Sequence, residues 1–245
     1  MADVSKSAPK IAGMFDAIAR RYDILNHLLS GGIDRRWRKQ AVASLRLTGR
    51  ERVLDVCTGT ADLAIASRTA HPAAHSVIGV DFARAMLGVG LDKLHRRGLG
   101  DRIHLARADA MRLPIADRSV DAVTIAFGIR NVENPAAACG EMHRALRPGG
   151  RLAILEFAVP TAWPFRSIYM AYFTFVLPRL GRLISGHEAA YEYLPASVGA
   201  FAGPDEFMAL LRGIGFVDVG ARPLTFGVVV LYTACKAAEN RSARL

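Results

Sequence analysis

The chain has 245 residues, 51% of them apolar, which fits one large domain with a sizeable core better than two small ones. Three widely separated cysteines, Cys57, Cys139 and Cys235, exclude a disulfide framework and a zinc site, leaving a reducing, cytoplasmic setting as the default. The formal net charge of +10 points to an anionic partner, either nucleic acid or the negative face of a membrane.

The N-terminal MADVSKSAPK runs into mixed polar and apolar sequence without a hydrophobic centre, so no signal peptide is expected. Residues 1–50 are predicted to be a helical lid, interrupted at Ser30-Gly31-Gly32. From Arg52 to Phe157 the pattern alternates. Strands are predicted at RVLDV, SVIGVD, RIHLARAD, VDAVTIAF and RLAILEF; helices at TADLAIASRTA, ARAMLGVGLDKLHRR and PAAACGEMHRAL separate them. This is βαβ periodicity, and residues 51–160 should build a parallel sheet with helices on both faces. RPGGR, from Arg147 to Arg151, supplies the breakers between the last helix and the last of these strands. Residues 161–203 form a second helical insert. Its most apolar run, IYMAYFTFVLP, is shorter than the roughly 20 apolar residues that a membrane-crossing helix needs. Residues 204–245 close the domain with helix PDEFMALLRGIG and strands FVDVGARPL and GVVVLYTACK, whose short connection predicts an antiparallel pair at the sheet edge. The fold class is therefore α/β and Rossmann-like: a mostly parallel seven-stranded sheet with an antiparallel edge strand.

Ligands of such sheets sit beyond the carboxyl ends of the strands. Asp55 and the loop Cys57-Thr58-Gly59-Thr60-Ala61 occupy that place after the first strand. Asp81 ends the second strand about 20 residues on, where an acid accepts ribose hydroxyls. Asp109 follows the third, where its side chain and the Ala110 amide suit an adenine edge. A dinucleotide brings pyrophosphate against the loop and uses glycines for close approach. S-adenosylmethionine has no phosphate; its amino acid end is zwitterionic and its sulfonium positive, so an acid at Asp55 favours it. The three glycine positions read Cys57, Gly59 and Ala61, which weakens anion binding and makes S-adenosylmethionine the better fit. The plain alternatives are a tight strand-to-helix turn, Asp81 as a cap for the helix at Ala83, and Asp109 as an ordinary loop residue. Three features at three successive strand ends favour a class I S-adenosylmethionine-dependent methyltransferase.

Five stretches are narrower: YDILNHLLSGGIDRRWR (22–38), DVCTGTADLA, FGIRNVEN (127–134), ALRPGGRLAILEF (145–157) and YEYLPASVGAF (191–201). Through them nearly the whole chain resembles the quinone-biosynthetic C-methyltransferases. The resemblance implies C-methylation of a polyprenyl hydroquinol, demethylmenaquinol to menaquinol ahead of a methoxy-polyprenyl-benzoquinol to its methylated form. It carries Thr60, Asp81, Asp109 and Ala110 over as cofactor positions. Ala126 stands where the family normally has Ser, so that position offers only its backbone. Leu25 stands where Met is usual, and Asp34 where His is frequent.

Methylating a ring carbon requires a phenolic hydroxyl to lose its proton, so that electron density enters the ring. Arg130 and Asn131 follow the fourth strand, the usual place for groups facing an acceptor. Arg130, always protonated, is expected to stabilise phenolate charge, and Asn131 to hydrogen-bond a quinol oxygen. Tyr22 and Tyr193 should close the ring pocket, with His187, Glu188 or a water held by Asp109 as proton acceptor. The competing readings make Arg130 a structural partner of Glu133 or Glu156, the tyrosines core aromatics, and His187 a surface residue. DRRWRK reads as a solvated helix face. Arg166, Arg179 and Arg182 around the apolar insert suggest peripheral contact with anionic lipid, beside a channel for the prenyl tail. Nucleic acid is not an expected partner: AFGIRNVENP lacks the Pro-Pro-aromatic or Pro-Cys loop of base methylation, and no basic stripe interleaves with aromatics. No metal site is expected, a homodimer stays open, and a non-catalytic lipid-binding scaffold is the rival of a different class.

Overall fold

The computed structural model describes residues 8–70, 76–172, 175 and 188–239. Two helices, α1 (Ala8–Leu29) and α2 (Asp34–Ser44), flank the break at Ser30-Gly31-Gly32 and precede the first strand. The alternating stretch follows in order: β1 (Arg52–Val56), α3 (Asp62–Ala70), β2 (Ser76–Asp81), α4 (Arg84–Arg96), β3 (Ile103–Arg107) and β4 (Val120–Ala126). A 3₁₀ turn at Ile129–Asn131 leads to α5 (Pro135–Ala145), which starts where Asn134 accepts the Ala137 amide and Pro135 needs no partner. β5 (Leu146–Phe157) is longer than the predicted strand, because the RPGGR segment stays within it across a register shift.

The seven strands lie in the order β3-β2-β1-β4-β5-β7-β6, where β6 spans Phe216–Leu224 and β7 Val229–Lys236. β1 to β5 pair in parallel, and β7 runs antiparallel to both β5 and β6. The antiparallel strand thus sits one place in from the edge that β6 forms. Chain order reverses between β1 and β4, and their carboxyl ends open the crevice in which such sheets bind ligands.

Neighbouring residues of one strand serve opposite core layers, as the strand period dictates. Leu54, Ile125 and Ile154 pack with Met142 of α5 and Phe207 of α8 (Pro204–Ile214). Val53, Ala122 and Ala153 pack on the other face with Trp37 and Val42 of α2 and Leu63 of α3. Half of the DRRWRK cluster therefore departs from the solvated face: Asp34, Trp37 and Arg38 are buried, while Arg35, Arg36 and Lys39 are exposed.

The insert contributes α6 (Phe165–Ala171) and α7 (Glu188–Gly199). Tyr169 of α6 and Val198 of α7 are buried together against Phe157 and Val228. Arg179, Arg182 and His187 lie outside the described residues. No helix among the described residues is long and apolar enough to cross a membrane.

Candidate active site

A cleft opens at the carboxyl ends of β1, β2 and β4, with about 790 Å³ of empty space including its mouth. Its floor carries Gly59, Asp81, Asp109, Ala110 and Ala126, and Asn131 stands at one side. Ile11, Ala12, Phe15 and Tyr22 of α1 cover it. Residues that the sequence placed there, Tyr22 among them, thus converge with Ile11, Ala12 and Phe15, which it did not place, whereas Asp55, Thr60, Arg130 and Tyr193 are not part of the lining. Three carboxylates, Asp81, Asp109 and Glu133, line the cleft, and its described lining holds no lysine, arginine or histidine.

Asp81 does two jobs at once. One carboxylate oxygen accepts the Gly59 amide at 2.8 Å and the other the Ala83 amide at 2.8 Å, so it both caps the approach to α4 and pins the loop. Burial pushes its carboxyl above the usual range, while the amide bonds hold it down. Asp109 accepts the Met111 amide at 2.8 Å and so fixes the turn that presents Ala110.

The loop keeps its glycine-like shape without the glycines. Cys57, Gly59 and Ala61 all take positive φ, at 51°, 55° and 67°. For the two non-glycine residues this costs on the order of 1 kcal/mol each. Hydrogen bonds hold the strained path, from the Thr58 amide to Val80, the Ala61 amide to Thr58 and the Gly59 amide to Asp81. The loop is therefore a nucleoside-binding turn in geometry. What distinguishes its ligand is the acidic, cation-free lining.

Two expected cofactor contacts are turned away from the cleft. Asp55 is buried behind the loop, accepting the hydroxyls of Thr58 and Thr124 at 2.6 Å each. It braces the loop rather than greeting a ligand. Thr60 donates to Asp23 of α1 at 2.5 Å and accepts from Lys93 of α4 at 3.2 Å. Lys93 also pairs with Asp23 at 2.6 Å and Asp62 at 2.7 Å, so Thr60 belongs to the polar bolt that holds α1 on α3 and α4. His27, Asp34 and Asp62 bring metal-ligand atoms within 4.8 Å of one another. None of the three lines the cleft, and Asp34 already takes bonds from Ser30 and Arg38.

Burial moves the Asp55 carboxyl up to about 6 from 3.8, against the two hydroxyls that favour its charged form. The folded state thus holds this proton more tightly than the unfolded chain. The resulting stabilisation, about 3 kcal/mol for two pH units, is complete below about pH 4 and lost as pH rises through about 6. Asp55→Asn is expected to remove that decline. Urea unfolding at about pH 5 and about pH 8 checks it: the difference between the two pH values should shrink in the variant, and an unchanged difference would show that Asp55 stays ionised throughout.

Arg130 also departs from expectation. It is buried with Nη1 2.6 Å from Glu156 and 2.7 Å from the Phe127 carbonyl, while Nε reaches Ser197 of α7 at 3.4 Å. Its guanidinium lies over the Phe157 ring and does not line the cleft. An acid inside the apolar run AILEF was the available signal for this partner. Asn131, next in sequence, does line the cleft, and its side-chain carbonyl has no partner among the described residues. The buried hydroxyl of Tyr193 has none there either. Burial raises the Tyr22 and Tyr193 hydroxyls, and Arg130 lowers both, which places the two rings within electrostatic reach of one cation.

The model of the ubiE/COQ5 methyltransferase family matches residues 2–236. The chain belongs to the ubiE/COQ5 methyltransferase family. A family member of Geotalea uraniireducens, the ubiquinone/menaquinone biosynthesis C-methyltransferase UbiE, is 44% identical over 96% of this chain and 100% of its own. The demethylmenaquinone methyltransferase of Thermus thermophilus is 47% identical over 89% of this chain and 98% of its own. Among solved structures, the [4+2]-cyclase SpnF superposes with a TM-score of 0.69 at 19% identity, covering 95% of this chain and 97% of that one. A cyclase on the same frame shows that the fold alone does not set the chemistry.

Proposed function

We infer that the protein transfers a methyl group from S-adenosylmethionine to a ring carbon of a polyprenyl hydroquinol, with demethylmenaquinol as acceptor. The observation that carries the cofactor is the cleft of three carboxylates without a described cation, which suits a positive sulfonium and disfavours a pyrophosphate. Of the relatives named above, one carries ubiquinone and menaquinone biosynthesis in its name and the other demethylmenaquinone alone, which supports the acceptor. When bound, the donor supplies an electrophilic methyl on a positively charged sulfur, and that charge favours an ionised ring oxygen nearby. Asp81 would take the ribose hydroxyls, and Asp109 with the Ala110 amide the adenine edge. Ala126 offers only its backbone.

The chain's own contribution is to hold the ring and keep water out. Ionising a hydroxyl of tyrosine-like acidity at pH 7 costs about 4 kcal/mol, so its surroundings must favour the anion. Asn131 in the cleft lining and Tyr193 outside it each have a polar atom without a partner among the described residues. They would meet the ring oxygens: the Asn131 carbonyl accepts a ring hydroxyl, the Tyr193 hydroxyl donates to the developing phenolate, and a water held by Asp109 takes the proton. Tyr22 and Phe15 close the cleft from α1. Arg130, neutralised by Glu156, acts as a positioning residue for the Phe127–Asn131 turn and for α7. Contact with the surface of an anionic membrane completes the reading, since the acceptor's tail resides in lipid.

Labelled S-adenosylmethionine with short-chain demethylmenaquinol and short-chain methoxy-benzoquinol tests the reading. Label in the naphthoquinol product is expected; label only in the benzoquinol corrects the acceptor, and label in neither sinks the function. Tyr193→Phe separates the site from the core. Deleting an unpartnered buried hydroxyl should leave stability equal or raise it by about 1 kcal/mol, while kcat/KM falls at least about 10-fold. Lower stability with full turnover would make Tyr193 an ordinary core residue.

A further inference from the structure

Most large apolar side chains of this protein are buried, which makes a cluster left in water informative. Trp163 is 83% exposed, Phe226 67% and Ile168 62%, with Phe165 beside them at 39%. They come from chain segments far apart in sequence: the approach to α6 and the turn between β6 and β7. The rings of Phe165 and Phe226 stack at 4.0 Å between centroids and 8° between planes, so the two segments form one surface. A β-carbon placed on Gly227 would lie 3.6 Å from Pro160, so the turn also comes close to the chain that leads into α6.

The turn that presents Phe226 is strained. Thr225 and Phe226 take φ of 46° and 56°, a region that non-glycine residues occupy at an energetic penalty. Trp37 holds the turn by donating its indole N–H to Thr225 at 2.8 Å. The turn is thus held from the core while its phenylalanine stays largely in water. Tyr169 alone of α6 is buried, packed against Phe157 and Val228. This short helix is therefore anchored to the core through one ring and leaves its other side chains on solvent.

We propose that Trp163, Phe165, Ile168 and Phe226 form the surface that inserts into the headgroup layer of an anionic bilayer. Tryptophan and phenylalanine around an apolar helix face are the side chains that favour that layer. The cations needed for an anionic surface flank them: Arg166 on α6 and Arg222 on the strand leading into the turn are exposed, on a chain of net charge +10. The surface rests on the proposed polyprenyl acceptor, since it would bring the protein against the lipid that holds the tail.

The protein carries its own reporter. Its two tryptophans are Trp163, in water, and Trp37, buried, so a change in indole emission on lipid addition comes from Trp163. With vesicles of phosphatidylglycerol and phosphatidylcholine at low salt, emission should shift to the blue and be quenched by bromine on the upper acyl chain, and a Trp163→Phe variant should show neither. Phe226→Ser should weaken vesicle binding about 10-fold, on the scale of one aromatic ring leaving an apolar layer. It should slow methylation of a long-tailed quinol in vesicles and leave that of a short-chain quinol in buffer unchanged. Binding to vesicles without quenching of Trp163, or equal binding by Phe226→Ser, overturns the surface. So does shielding of Trp163 that follows protein concentration without lipid, which would reveal a second copy on this face. Absence of short-chain methylation by the wild type would instead strike the proposed reaction, whatever the vesicles show.

Discussion

Gly128→Ala is expected to weaken S-adenosylmethionine binding about 100-fold, the scale on which a displacement of about 1 Å in a site is felt. Gly128 has φ −111° and ψ −35°, a conformation open to alanine, so the effect is steric. A β-carbon there would sit 2.4 Å from Cys57 Cβ and 3.2 Å from its Sγ, where no real pair of carbons rests. The loop after β1 and the turn after β4 both line the cleft, and one must move. Overpacking of this kind costs about 1–3 kcal/mol of stability. The two positions are coupled, which makes a rescue possible. Cys57→Gly removes the opposing atoms and suits glycine at φ 51°. The double variant should recover affinity to within about 10-fold of wild type, measured by titration calorimetry. A single Gly128→Ala variant with full affinity would show that the cleft does not depend on this contact. Additive losses in the double variant would show that the two residues act separately.

This pairing explains a feature that looked like a defect in the sequence. The glycine missing at Cys57 is compensated across the cleft by one at Gly128, and the second missing glycine, Ala61, takes positive φ within a hydrogen-bonded loop. Only composition could be read from the stretch CTGTA. Its backbone path could not, because strain held by neighbours leaves no local signature.

The elements of the core were legible because each strand and helix carries its own period. Every strand predicted from RVLDV to GVVVLYTACK forms, with ends shifted by a few residues, the largest shift being at RPGGR. Directions of side chains in loops were not legible, because loops have no period. Asp55 lies in a strand buried on both faces, so alternation says nothing about which side it serves. Thr60 sits one residue from a cleft-lining glycine and yet points to Asp23 and Lys93. An N-terminal helical lid with Tyr22 at the pocket could be read, but the contacts that dock α1 could not: they depend on Asp16 accepting the Ala85 amide and on Asp23 meeting Lys93, partners about 70 residues away.

Breaking the Arg130–Glu156 pair is expected to have the largest effect on stability. Glu156 is wholly buried and accepts from Arg130 through both its backbone amide and its guanidinium, and from the Phe157 amide. Arg130→Ala leaves that carboxylate without its counter-ion, a loss of about 3–5 kcal/mol. It also frees Ser197 of α7 and the Phe127 carbonyl, so turnover should fall together with stability. A single variant cannot tell these apart. Replacing both partners by apolar residues of similar volume, Arg130→Met with Glu156→Leu, removes both charges and should recover the loss owed to the unpaired carboxylate. The recovery stops short by about 1–3 kcal/mol for each of the Arg130 and Phe157 amides left without an acceptor. If the pair positions Asn131 and α7 for the reaction, kcat of the double variant stays down about 100-fold while S-adenosylmethionine affinity is kept, because neither residue lines the cleft. Urea unfolding, calorimetry and turnover on a short-chain hydroquinol separate the outcomes. A stable double variant with wild-type kcat would make the pair a fastener of the core. A stable one that is slow would place its geometry in the chemistry.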